Sequence, residues 1–378
     1  MEMSIHRKHN ALKAVIVLVL TNLLIMPGFT LAEIPNAPSN EPLHKPAYIQ
    51  GIQDLVDVQV VPRSAPFQPL PPASTDVDII ELVLQLNESL ILGYLEDLTS
   101  FGPRLSGTEA CDQAAHYLYD SFKDMGLTVR YHNYTDDVVS GSNIEATLYG
   151  TDSTNIFIVC AHYDSVAAGP GADDDGSGVA AVLAAAEIMR NYEFAHTVRF
   201  VTFSGEEQGL IGSRHYVEDA YNNNDSIIAV FNADMIGFAP SGSDGTMGKI
   251  YKNTASEWIV DYTEEISQIY SEYIGIQLLH QGESSGSDHY YFWKYGYDAV
   301  FYHEYNFNDY YHSANDTIAN MNITYSTHFS RLVLATLADM AQQPRPVLEI
   351  TDITWGIGIS AQITNIGNDK YSDVDVTI

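Results

Sequence analysis

The stretch Ile156-Phe-Ile-Val-Cys-Ala-His162-Tyr-Asp164 decides the fold. Six apolar or small residues in a row, rich in β-branched types, read as a strand buried on both faces. It runs without a turn into a histidine and a carboxylate. A strand with two apolar faces belongs to the middle of a sheet covered by helices on each side. The following run, Val179-Ala-Ala-Val-Leu183, is apolar almost all round and reads as a helix packed on that sheet.

Outward from this centre, strands and helices alternate. Strand runs occur at Ile156–Ala161, Val198–Phe203, Ile227–Ala233 and Ala299–Tyr302. Helical stretches occur at Val179–Arg190, Leu210–Ala220 and Trp258–Tyr273. Upstream, Ile79, Ile80, Leu82, Val83 and Leu86 recur at helical spacing, and a helix is predicted over Thr108–Met125, ended by Gly126. A last helix is predicted from about Tyr325 to Met340. The pattern implies an α/β fold: a mixed, mostly parallel central sheet with helices on both faces.

The chain of 378 residues has room for more than one domain. Residues 1–32 read as a signal peptide: Arg7, Lys8 and Lys13, then an apolar run from Ala14 to Met26, then Thr30-Leu31-Ala32 as a cleavage site. That run is short of the roughly 20 residues a spanning helix needs, so export without stable membrane insertion is expected. No later segment reads as transmembrane. Residues 33–76 contain Pro62, Pro66, Pro69, Pro71 and Pro72 and read as a propeptide or proline-rich linker. Residues 77–343 form the main domain. Residues 344–378 read as the start of a β-sandwich-like domain belonging to a longer protein, since a full sandwich takes about 100 residues.

Acidic residues number 49 against 17 basic, a formal net charge of -32. Such a field repels phosphate backbones and argues against a nucleic-acid partner. The two cysteines, Cys111 and Cys160, fall in a helix and an apolar strand and are expected as buried free thiols.

In open α/β sheets ligands bind at the carboxyl ends of the strands. The four strand runs lead to His162 and Asp164, to Glu206-Glu207, to Asp234 and to the loop with His312. Between them lies Gly169-Pro-Gly-Ala-Asp-Asp-Asp-Gly-Ser-Gly178, whose adjacent carboxylates repel one another without a cation. Imidazole and carboxylate suit zinc, and Asp164 is placed to fix the tautomer of His162. Each motif alone has an ordinary reading as a surface turn or a charged helix start; four at one sheet edge make a constellation.

His162-Tyr-Asp-Ser-Val with Gly169–Gly178, Phe203-Ser-Gly-Glu-Glu-Gln-Gly-Leu-Ile-Gly-Ser213, Asn232-Ala-Asp-Met-Ile-Gly237, Ser287-Asp-His289 and Tyr311-His-Ser-Ala-Asn-Asp-Thr317 occur in this order. Together they resemble the secreted co-catalytic di-zinc aminopeptidases, the bacterial leucyl aminopeptidases, over about Leu98 to Met340. Glutamate carboxypeptidase and glutaminyl cyclase share that superfamily. The resemblance implies a zinc-exopeptidase (phosphorylase/hydrolase-like) fold and two zinc ions per chain. It implies Asp174 as the bridging carboxylate, with His162 and Asp234 on one ion and Glu207 and His312 on the other. Glu206 is implied as general base toward a zinc-activated water and Tyr311 as a stabiliser of the oxyanion, though with 25 tyrosines in the chain a packing role stays open for it. A cis peptide after Asp174 is also implied. Gly286 stands where some relatives carry an arginine that binds the substrate amine.

The expectation is therefore a secreted metallopeptidase that removes N-terminal residues from peptides. Its rivals are a carboxypeptidase-like or glutaminyl-cyclase-like enzyme on the same fold, and a non-enzymatic ectodomain. The first two differ in substrate, the third in holding no metal. His215, His280 and His303 match no metal position and read as ordinary histidines.

Overall fold

A computed structural model describes residues 59–62, 77–240, 244–342, 348–356, 358–365 and 374–377. Expectations for residues 1–32 and for most of 33–76 lie outside the described residues. These fall into two units, a large one within 77–342 and a small antiparallel sheet.

The small sheet joins segments from both ends of the chain. Strand β1 (Gln59–Pro62) pairs antiparallel with β12 (Val374–Thr377), which continues to β11 (Gly358–Asn365) and β10 (Leu348–Gly356). Four residues of the proline-rich segment are thus a strand beside the C-terminal run.

The large unit is built on an eight-stranded sheet. In chain order its strands are β2 (Thr128–Thr135), β3 (Ser140–Leu148), β4 (Asp152–His162), β5 (His196–Phe203), β6 (Ile227–Ala233), β7 (Met247–Tyr251), β8 (Gln277–Gln281) and β9 (Ala299–Glu304). Their order across the sheet is β2-β3-β5-β4-β6-β9-β7-β8. The central four, β5-β4-β6-β9, are mutually parallel, as are β7 and β8. The hairpin β2–β3 and the β7–β9 contact are antiparallel.

The helices follow from their caps. Helix α1 (Ile79–Gln85) begins at Asp78 and α2 (Glu88–Thr99) at Asn87, each side chain accepting from a backbone N–H of the first turn. Helix α3 (Glu109–Asp124) starts at Thr108, which accepts from Cys111, and stops before Gly126 at φ +82°. Helix α4 (Gly176–Met189) is buried along its length except at Glu187. It is the all-apolar helix expected beside β4. Helices α5 (Ile211–Asn222), α6 (Glu257–Ile269), α7 (Ser271–Ile274), α8 (His289–Lys294) and α9 (Ile323–Gln342) complete the unit. The stretch Trp258–Tyr273 expected as one helix is two, because Tyr270 leaves helical geometry and Gly275 ends α7 at φ +68°.

Helices cover both faces. Ile156, Ile158 and Cys160 of β4 point to one side, where they pack with Val201, Phe203, Val230 and the α5 and α8 residues Tyr216, Val217 and Phe292. Phe157, Val159 and Ala161 alternate to the side that carries α4. Cys111 and Cys160 are both free and buried. Among the described residues no helix is long and apolar enough to cross a membrane.

Candidate active site

Because β5, β4, β6 and β9 are parallel, their carboxyl ends lie along one edge, and the loops leaving that edge carry the ionisable groups. His162 is the last residue of β4; Asp234 follows β6 directly. The ladder continues one step past each strand, with the Tyr163 N–H donating to Phe203 O (2.8 Å) and the Asp234 N–H to Tyr302 O (3.2 Å). These two side chains therefore inherit the rigidity of the sheet.

Asp174 lies between two imidazoles. Its Oδ1 is 3.3 Å from His162 Nε2 and its Oδ2 is 3.2 Å from His312 Nε2. Asp234 Oδ1 is 3.7 Å from His162 Nε2, and Glu207 Oε2 is 3.0 Å from His312 Nε2. Donor atoms of His162, Asp174 and Asp234 all lie within 4.8 Å of one another, as do those of Asp174, Glu207 and His312. Glu206 Oε2 stands 3.9 Å from His162 Nε2, and donor atoms of His162, Glu206 and Glu207 form a third group within the same 4.8 Å of one another. The peptide bond between Asp174 and Asp175 is cis.

The surrounding residues aim these groups. The two oxygens of Asp164 accept from the N–H groups of Glu206 (3.3 Å) and Glu207 (3.4 Å). His162 Nδ1 lies 3.2 Å from the carbonyl oxygen of Asp164 and 3.5 Å from its carboxylate. Asp164 thus orients the histidine mostly through its main chain while its carboxylate holds the two glutamates in place. Ser287 donates to Asp234 Oδ2 at 2.5 Å and accepts from Asn232 at 2.7 Å. Asp175, at the start of α4, accepts from the N–H groups of His162, Gly178 and Met235, tying two strand ends to one helix.

Tyr311 is 40% exposed and its ring stacks on His312 with centroids 3.7 Å apart. Phe307, also exposed, packs edge-on against Tyr311 and links it to His303. Gly286 lies on an exposed loop and presents no side chain there. His215 pairs with Asp136 and His280 with Glu264, both away from the six.

The charges are unbalanced without a cation. Burial pushes the Glu207 carboxyl up to about 7, helped by Asp174, and burial holds Glu206 well above the usual carboxylate range. Burial works to raise Asp174 too, but the hydrogen bonds from His162 and His312 bring it down to about 2. Burial opposes the charge of His162, but Glu206, Asp164, Asp174 and Asp234 outweigh it and hold the imidazole well above its usual range. Four carboxylates and two imidazoles thus crowd together where a divalent cation would satisfy them. Glu207 Oε1 is buried with no hydrogen-bond partner, which a cation would supply. The donor set, nitrogen and carboxylate oxygen, fits zinc.

Residues 143–337, from within β3 to within the last helix, match the model of peptidase family M28. The chain belongs to peptidase family M28. A curated relative, a probable leucine aminopeptidase of Arthroderma otae, is 27% identical over 285 residues, covering 70% of this chain and 75% of that protein. Two solved structures share the M28 fold. The LapA aminopeptidase of Legionella pneumophila has a TM-score of 0.63 and 22% identity, covering 71% of this chain and 75% of its own. BSAP, a zinc aminopeptidase from Bacillus subtilis, has a TM-score of 0.58 and 18% identity, covering 68% and 96%.

Sequence reasoning missed three residues that build this M28 site. Arg104 is wholly buried and donates to the carbonyl oxygens of Tyr163 (2.7 Å), Gly171 (3.0 Å) and Pro170, spanning the loop that carries Asp164 and Asp174. Asp316 accepts from the backbone of Asp173 and Asp174. Asp175 acts as described above. Asp175 and Asp316 fall inside the runs Gly169–Gly178 and Tyr311–Thr317, but all three bond to backbone groups, a role that those runs do not spell out.

Proposed function

We propose that the chain is a secreted, zinc-dependent aminopeptidase that works with two metal ions. The observation that carries this reading is Asp174 with one oxygen toward each of two separate donor groups. His162 and Asp234 would complete one ion's ligands, Glu207 and His312 the other's. The names of its relatives support zinc and an N-terminal substrate; the N-terminal basic and apolar run supports export.

A zinc ion in such a setting can lower the pKa of a coordinated water to about 7 and polarise a carbonyl. The chain's own groups do the rest. Glu206 is beside the ligands but outside both three-residue groups that contain Asp174, and its burial favours proton uptake. It takes the proton from the attacking water and returns it to the leaving amine. Asp164, bonded to the N–H groups of Glu206 and Glu207, keeps base and ligand in fixed relation. Tyr311, half-exposed above His312, can offer its hydroxyl to the developing oxyanion. The ring of Tyr311 together with Phe307 forms an apolar wall for the substrate.

The test is hydrolysis of aminoacyl-anilides beside N-acetylated and C-terminal substrates, with and without chelator, together with metal analysis. The expected result is zinc in the purified protein, chelator-sensitive cleavage of free-amine substrates and no cleavage of blocked ones. Cleavage of blocked peptides from the carboxyl end would overturn the aminopeptidase assignment. Protein that takes up no zinc would overturn the metal assignment.

A further inference from the structure

The loop from Tyr163 to Asp175 joins β4 to α4 without regular structure, yet it carries Asp164 and Asp174. Its carbonyl groups are gripped by Arg104. Its N–H groups are gripped from the other side. Oδ1 of Asp316 accepts from the Asp173 N–H at 2.9 Å and Oδ2 from the Asp174 N–H at 3.1 Å. The carbonyl of Asp316 adds a third tie, accepting from Ala172 N–H at 3.3 Å. Asp316 is buried, 3% exposed.

Asp316 belongs to the loop that carries His312. Its own N–H donates to Ser313 O at 3.1 Å, closing the turn after the histidine. His312 has φ +54°, a region that side-chain-bearing residues seldom occupy, and its side chain is 39% exposed. No strand ladder holds this ring. Beside the stacked Tyr311 ring and Glu207, what places it against Asp174 is the turn ending in Asp316. By contrast, His162 and Asp234 sit on strand ends, and Asp175 ties those ends to α4 without using Asp316.

We propose that Asp316 is a positioning residue: by clamping the main chain of Asp174 to the His312 turn, it sets the divalent-cation affinity of the group formed by Asp174, Glu207 and His312. The group formed by His162, Asp174 and Asp234 shares Asp174 but takes its other two members from strand ends that Asp316 does not touch, so it is affected less. The inference rests on the two-ion reading above.

The experiment uses the full chain and its variants Asp316→Asn and Asp316→Ala. Stepwise cobalt binding is followed by visible absorption, zinc affinities are measured by chelator competition, and thermal unfolding is recorded for the metal-free proteins. Asn keeps the volume but places an amide NH2 against one of the two N–H donors. Both variants should bind one ion within about threefold of the parent affinity, with the parent's singly loaded cobalt spectrum. The second ion should be weakened about 10–100-fold, the usual effect of losing a residue that orients ligands. Two parental affinities in a variant overturn the proposal, and so does equal weakening of both ions, which a merely structural role would give. If Asp316→Ala does not fold, Asp316→Asn decides on the same criteria. A parent that binds fewer than two ions sinks the two-ion reading itself and this inference with it; a parent that binds two beside an unaffected variant sinks only the inference.

Discussion

Glu206 and Glu207 are neighbours in sequence with different surroundings. Glu207 Oε2 faces His312 Nε2 at 3.0 Å, whereas Glu206 Oε2 faces His162 Nε2 at 3.9 Å. The proposed mechanism makes Glu207 a ligand and Glu206 the proton carrier, and because Glu206 also lies within reach of a metal held by His162 and Glu207, the two roles need a direct test. Glu206→Gln keeps size and hydrogen-bonding capacity and removes only basicity, so metal content should stay at the parent level while kcat falls about 10²–10⁴-fold. Turnover on an aminoacyl-anilide and zinc per chain, measured on the same sample, check this; lost zinc would make Glu206 a ligand instead. Asp288 offers a second test at this scale. It is wholly buried, and burial pushes its carboxyl up to about 7 against the pull of His162. A carboxyl raised above its unfolded value of about 3.9 stabilises the fold fully below that pH, and the contribution is lost as pH rises through 7. Asp288→Asn does not titrate. With chelator present, denaturant unfolding should therefore show the variant gaining on the parent between pH 4.5 and 8, by about 1–4 kcal/mol. A difference that stays constant with pH would remove the titration from Asp288.

Elements differ in how plainly they were written in the chain. Strands β4 and β6 and helix α4 announce themselves because both faces of the strands and nearly all of the helix are buried, leaving unbroken apolar runs. The hairpin β2–β3 does not. Its inward positions include His132, Asn143, Glu145 and Thr147, and partners from elsewhere satisfy two of them, Tyr216 on Glu145 and Gly212 and Ser204 on Asn143, with Arg130 of the hairpin itself also on Glu145. A buried polar strand looks like a loop until its partners are known. Strands β7 and β8 are short and half-exposed, and went unread for that reason. In the site, the residues at strand ends could be placed from strand position alone, whereas Arg104, Asp175 and Asp316 act on main-chain groups that only the fold brings near. Helix α4 also carries a prediction. Its first turn lies so close to β6 that a Cβ on Gly178 would sit 2.0 Å from the carbonyl oxygen of Ala233 and 2.6 Å from the Asp175 carboxylate. Neither backbone nor the capping aspartate can retreat without moving Asp174 or Asp234. Gly178→Ala should destabilise the domain by roughly 1–3 kcal/mol despite alanine's better helix propensity, and weaken both ions together. Unfolding in denaturant plus zinc competition checks it; a stabilised variant would mean that α4 can slide.

At the scale of the whole molecule, charge is the dominant unspent term. The chain carries 49 acidic and 17 basic residues. Several of the few cations are already committed: Arg130 to Glu145, Arg199 to Asp225, Arg214 to Asp136 and Lys252 to Glu257. Arg104 and Arg331 are turned to carbonyl groups and answer no surface carboxylate directly. The excess of acidic groups therefore repels itself across the surface, which opposes the compact state. Screening acts on such exposed charges and leaves close buried pairs nearly untouched, because the Debye length falls from about 30 Å at 0.01 M salt to about 10 Å at 0.1 M and 3 Å at 1 M. The metal-loaded protein should accordingly gain thermal stability on adding sodium chloride, most of it between 0.01 and 0.1 M. Relief of about 1–2 kcal/mol of repulsion corresponds to a rise of roughly 2–8 °C for a domain of this size. The range is diagnostic. A rise confined to molar salt would report exclusion of the salt from apolar surface rather than screening, and a Tm that falls as salt is added would mean that attractive surface pairs outweigh the acidic excess.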